Sequence, residues 1–179
     1  TGALTATILD TNLTTADTIT GGTGSSDTLT VTFGNTALTA TDMTNVSAIE
    51  NIKTATNVTG GLTLADANIA KDGSMTIDTT KNTSAAFTFS ANAELDGSIT
   101  YVGGAGADTV TGGAKVDTIN GGAGADVITG GKGLDTLTGG TLADQFTYTD
   151  PNQSNSSGAD TITDFVTGTD KLVVTLDLS

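Results

Sequence analysis

The chain has 179 residues, a formal net charge of −14, and 20 acidic side chains against 6 lysines, with no arginine, histidine or cysteine. Such a charge repels nucleic acid and anionic membrane and attracts cations. The missing residue types exclude disulfides, thiolate or histidine metal sites, Ser–His pairs and thiol nucleophiles.

Leu, Ile, Val and Phe make up roughly 22% of the residues, near the range in which a charged chain stays disordered. Yet 40 threonines and 24 glycines favour strands and turns over helices. Together they predict an all-β chain with a thin core that needs help to fold. No window reaches the length of a transmembrane helix. The chain starts at Thr1 without a basic-plus-apolar leader, so export would need a signal elsewhere.

In chain order, the segment ADTITGGTGSSDTLTV (16–31) is a glycine turn ending in Asp27 and Leu29. A cation ligand at Asp27 and a plain turn between strands are both open there. Short alternating segments follow: Leu29, Val31 and Phe33; Leu62 and Leu64; Met75 and Ile77; Phe87 and Phe89; Ile99 and Tyr101. From Leu64 onward their last members recur every 12–13 residues. That predicts a threonine-rich solenoid with long turns over residues 1–102, with a small β-sandwich as the alternative. Val46, Ile49 and Ile52, within 44–53, have the near-helical spacing of a helical turn.

From Gly103 to Thr147 the chain divides into five nine-residue units without a gap: GGAGADTVT, GGAKVDTIN, GGAGADVIT, GGKGLDTLT and GGTLADQFT. The sixth position is always Asp (Asp108, Asp117, Asp126, Asp135, Asp144). The eighth is always large and apolar (Val110, Ile119, Ile128, Leu137, Phe146). The last three positions read as a short strand with one side chain inward, and the glycine-rich first six as a turn. Two units then make one coil. Units one, three and five stack on one side, and units two and four on the other.

This stacking puts Asp108, Asp126 and Asp144 in one column and Asp117 and Asp135 in another. Strands about 4.8 Å apart leave two carboxylates repelling by roughly 1 kcal/mol in water and about 3–4 at an effective dielectric of 20. A hard divalent cation between turns reverses that sign, and glycine turns expose carbonyl oxygens to it. Three sites follow, between Asp108/Asp126, Asp117/Asp135 and Asp126/Asp144.

The units match the G-G-x-G-x-D-x-U-x pattern and resemble the RTX family of secreted bacterial proteins. The segment after them, within 148–179, resembles the segment that closes the roll in that family, carried here by Asp160, Ile162, Asp164, Phe165, Gly168, Asp170 and Leu172. The resemblance implies a right-handed parallel β-roll or β-solenoid with Ca2+ between turns and type I export. It also implies ligands from carbonyls of the first four positions with the Asp at the sixth. These are Gly103, Gly104, Ala105, Gly106 and Asp108; Gly112, Gly113, Ala114 and Asp117; Gly121, Gly122, Ala123, Gly124 and Asp126; Gly130, Gly131, Lys132, Gly133 and Asp135; and Gly139, Gly140, Thr141 and Asp144. Asp27, Asp160, Asp164 and Asp170 are further candidates. Lys115 and Leu142 replace the fourth-position glycine in units two and five, which weakens or distorts the turns they occupy.

Segment 44–53 is also similar to threonine-rich repeats of bacterial surface-layer proteins, which share the high Thr, Gly, Ala and Asp content. The expected function is a calcium-folded structural segment of such a secreted cell-surface protein, self-associating into a lattice and carrying no activity of its own. The alternatives are a C-terminal export and folding module of a secreted enzyme or toxin, and an adhesin stalk.

Overall fold

The computed structural model describes residues 3–9, 13–14, 16–23, 26–32, 37–56, 58–154 and 159–175. Phe33, Gly24, Ser25 and Gly158, all part of the patterns above, lie outside the described residues. Among the described residues the short polar–apolar–polar segments form strands that pair only in parallel with strands one coil away. One sheet holds β1 (Thr5–Leu9), β3 (Thr28–Thr32), β5 (Asn51–Thr54), β7 (Ser74–Asp78), β9 (Ser98–Val102), β11 (Thr118–Ala123), β13 (Thr136–Thr141) and β15 (Thr161–Ile162). The facing sheet holds β6 (Gly60–Thr63), β8 (Phe87–Ser90), β10 (Thr109–Thr111), β12 (Val127–Thr129), β14 (Gln145–Tyr148) and β16 (Lys171–Val174). A two-stranded pair, β2 (Ile19–Thr20) and β4 (Val46–Ser47), completes the strands. The described residues therefore form a parallel β-solenoid. Parallel pairing rules out the sandwich alternative for the first hundred residues, because sandwiches are built from antiparallel sheets.

The register explains the core. On one sheet Leu29, Ile52, Ile77, Tyr101, Ile119, Leu137 and Ile162 lie side by side. On the other, Leu62, Phe89, Val110, Ile128, Phe146 and Leu172 do. All but the last member of each column are buried in one continuous core. The two columns read from the eighth positions of the repeats are thus parts of longer columns, and Phe89 stacks on Tyr101 with ring centroids 5.4 Å apart.

Coil length changes along the solenoid. Thr5, Thr28, Asn51, Thr76 and Thr100 are successive partners 23–25 residues apart, whereas Thr100, Thr118 and Thr136 are 18 apart. The longer coils spend the extra residues on an apolar corner between the sheets, filled by Met43, Val46, Ile49 and Ile69. The buried Asn68 side chain ties that corner together, donating to the Met43 and Val46 carbonyls at 2.7 Å each while its oxygen accepts from the Ala65 N–H. Segment 44–53 belongs to this corner and is not helical. It runs from β4 through a bend at Ala48 (φ +52°) into β5. The near-helical spacing of Val46, Ile49 and Ile52 arises because three faces of a bent chain all turn inward.

Candidate calcium sites

The five repeat turns fall on the two edges of the solenoid. Segments 103–108, 121–126 and 139–144 lead from the first sheet to the second, and segments 112–117 and 130–135 lead back; β11 and β13 run on into the first three positions of units three and five, where the spacing predicts turn. Each aspartate precedes its strand at the same register position, so the carboxylates stack as the spacing predicts. A detail beyond the spacing is how each one is held. Its Oδ1 accepts the backbone N–H of its counterpart in the preceding coil: Asp126 from Asp108 (2.7 Å), Asp144 from Asp126 (2.9 Å) and Asp135 from Asp117 (2.8 Å). Asp108 and Asp117 reach back in the same way to Phe87 (2.8 Å) and Ile99 (2.7 Å).

The closing segment adds one more coil to both columns. Asp160 accepts the Asp135 N–H and Asp170 the Asp144 N–H, each at 3.0 Å. Asp164 stands apart from the columns and accepts the Gly139 and Gly140 N–H groups at 2.9 and 2.7 Å. Asp27 stands earlier in the column that carries Asp117: it accepts from Leu4 and from Gly22, and its own N–H donates to Glu50 at 2.9 Å. Register places Met75 and Ile99 after Glu50, so the same coil position is acidic, then apolar, then acidic again.

The glycines bring the donors together. A Cβ on Gly121 would lie 2.3 Å from Asp126 Oδ2 and 2.8 Å from the Gly139 carbonyl oxygen; on Gly130, 2.4 Å from Asp135 Oδ2. Gly122, Gly131 and Gly140 have φ near +100° and press on the Gly104, Gly113 and Gly122 carbonyls. Among the described residues this turn geometry is confined to units three to five. Those units each stack on an earlier repeat turn, whereas units one and two stack on the longer coils. The Gly104 and Gly113 carbonyls also accept N–H groups from Ala123 (2.8 Å) and Lys132 (2.9 Å), the third positions of the turns above. Leu142 takes the left-handed conformation at φ +83° with its side chain exposed; Lys115 does not adopt positive φ.

The outer oxygens test whether this chemistry fits calcium. Asp126 Oδ2 and Asp135 Oδ2 are buried without a hydrogen-bond partner. A buried carboxylate oxygen left unpaired is costly, and a cation bound between turns would supply the missing partner. The pKa shifts report the same cost. Burial pushes Asp126 up to about 6, with the Asp108 and Asp144 charges adding to it. It pushes Asp135 up to about 7, with Asp117 and Asp160 adding. Asp117 rises to about 6 through burial, then the nearby Glu94 charge. Sequence reasoning missed Tyr101, whose hydroxyl donates to Asp108 Oδ2 at 2.9 Å and lies 3.2 Å from Thr79 Oγ1. An isolated tyrosine outside the repeat carries no signal of that role.

A parallel solenoid with stacked turn carboxylates and carbonyl-exposing glycines defines a metal-binding β-roll. Residues 102–137 and 113–146 each match the family model of the RTX calcium-binding nonapeptide repeat, a model that describes four copies. The chain thus carries RTX repeats, a calcium-binding structural motif and not a catalytic one. No curated protein and no solved structure matches the chain.

Two outcomes follow. Asp126 faces a counterpart on both sides and Asp108 faces a repeat aspartate on one, so Asp126→Ala should raise the calcium midpoint of a circular dichroism titration more than Asp108→Ala; equal shifts would contradict the stacked sites. The raised pKa values set the pH dependence. Relative to an unfolded value near 3.8, they favour the calcium-free fold at acid pH, and this stabilisation is lost as pH rises through about 6–7. In EDTA the β signal should therefore grow as pH falls from 8 to 5. Calcium must displace these protons, so its midpoint should rise over the same range; a midpoint that falls with acid would contradict this.

Proposed function

We propose that this chain is a structural segment of an exported bacterial surface protein that folds when it meets extracellular calcium and then assembles side by side, as in a surface layer. The two carboxylate columns carry the reading. Without calcium, repulsion between stacked aspartates and the burial of unpaired oxygens oppose the fold, and one inward side chain per nine residues offsets little conformational entropy. With calcium, binding energy becomes folding energy, because only the coiled chain brings the ligands of successive turns together. Low calcium inside the cell then keeps the repeat region unfolded for passage through a narrow export channel, and higher calcium outside folds it. The ligands are Asp108, Asp117, Asp126, Asp135 and Asp144 with turn carbonyls, and Asp160 and Asp170 extend the columns.

Assembly is favoured by the threonine-rich outer faces of both sheets, which present short-chain polar surfaces along the solenoid. Among the described residues no helix is long and apolar enough to cross a membrane, so attachment to a cell would rest on other parts of a larger protein. Electron microscopy of the purified chain tests the reading: ordered sheets should form in millimolar calcium and dissolve in EDTA. A folded protein that stays monomeric in calcium would overturn the assembly role and favour a folding module.

A further inference from the structure

We infer that Asp66, Glu94 and Asp96 form a calcium site outside the nonapeptide repeats, on the edge where the long coils meet the roll. The three residues come from two stacked turns. Asp66 opens the 3-10 turn Asp66–Asn68 between β6 and β7, and Glu94 and Asp96 lie in the next coil between β8 and β9. One carboxylate oxygen from each lies within 4.8 Å of the others. Oxygens about 2.3–2.6 Å from a single calcium ion span that spread.

Glu94 supplies the independent observation. It is 0% exposed, yet its Oε2 has no hydrogen-bond partner. Its other oxygen, Oε1, accepts the Gly97 N–H at 2.9 Å and the Asp96 N–H at 3.3 Å. Asp66 Oδ1 accepts the Leu95 N–H at 2.9 Å, which fixes it against the same turn. None of the three carboxylates is in an ion pair: those among the described residues are Lys53–Asp78 and Lys71–Asp72. A buried carboxylate with two acidic neighbours and one unpaired oxygen calls for a hard cation. The Glu94 carbonyl accepts the Ala114 N–H at 3.0 Å and the Asp96 carbonyl accepts the Asp72 N–H at 2.9 Å. The ligands of this site are the three carboxylates, with water completing the shell on the exposed Asp66 side.

The Glu94–Ala114 hydrogen bond gives the site a consequence. Turn 91–97 is the platform on which the unit-two turn stacks, and a Cβ on Gly113 would lie 3.0 Å from the Glu94 carbonyl. An ion that fixes this turn presents a formed surface to the first RTX turn on that edge.

Equilibrium dialysis with radioactive calcium counts ions bound to the whole chain. The double variant Asp66→Asn/Asp96→Asn keeps the Leu95 contact through the amide oxygen and should bind one ion fewer than the unaltered protein. Asp126→Ala reports on the repeat sites separately, so a failure of the RTX reading would show as an unaltered count in that variant alone. Crystals grown in calcium decide the matter independently of variant folding. Anomalous density among Asp66, Glu94 and Asp96 supports the site; density at the repeat aspartates with none here, or an unaltered ion count in the double variant, overturns it.

Discussion

The rest of the structure depends on the electrostatics of carboxylates stacked one coil apart. Parallel pairing forces equivalent residues of successive coils into columns a strand spacing apart. At an apolar position that geometry yields a continuous core. At the position before each strand, it places Asp108, Asp126, Asp144 and Asp170 in one line and Asp117, Asp135 and Asp160 in another. A backbone N–H group satisfies at least one oxygen of each, locking every carboxylate to the coil before it. In Asp117, Asp126, Asp135 and Asp144 the second oxygen lies against the first glycine of its own turn, and in Asp126 and Asp135 it has no hydrogen-bond partner. The columns are thus organised by the backbone but not neutralised by it.

The solenoid divides at this contrast. Before residue 100 the corresponding positions include Met75, Ile99 and Phe87, all buried, and the coils carry an additional apolar corner held by Asn68. Through the five nonapeptide units the coils shorten to 18 residues, the corner gives way to glycine turns, and the apolar residues at those positions become aspartates. Shortening the coil removes core, so stability must come from the turns. Both changes occur together, which is what a metal-supported roll grafted onto a self-sufficient solenoid requires. Asp27 and Glu50 show that the early coils also admit acidic residues at this position, there with an N–H or carboxylate partner inside the same column.

The roll was legible in the sequence because every informative residue recurs at a nine-residue spacing. The turn, the inward side chain and the stacked carboxylate all follow from that period. The 12-residue recurrence of Ile77, Phe89 and Tyr101 reveals the long coils for the same reason: each interval is half a coil. What lacked a period was not legible. The third face at Val46 and Ile49 looked helical, because a corner and a helix turn both place apolar residues three apart. The Tyr101–Asp108 contact joins a long coil to a short one, so no repeat encodes it. Glu94 reads as an isolated surface acid, and only the stacking of turn 91–97 on Asp66 shows that it is buried among acids. The closing segment was legible by likeness, but its role as a further coil extending both aspartate columns required the register of β15 and β16.

The central claim is that calcium creates the roll and does not merely decorate it, while the apolar coils fold without it. Hydrogen–deuterium exchange along the whole chain, in EDTA and in millimolar calcium, tests this most directly. The amides of β7 to β9 should be protected in both conditions, and those of β10 to β16 only in calcium, with protection lost up to the coil that carries Asp108 and Asp117. Full protection of residues 109–148 in EDTA at neutral pH would contradict the account, because the stacked carboxylates would then be tolerated without an ion.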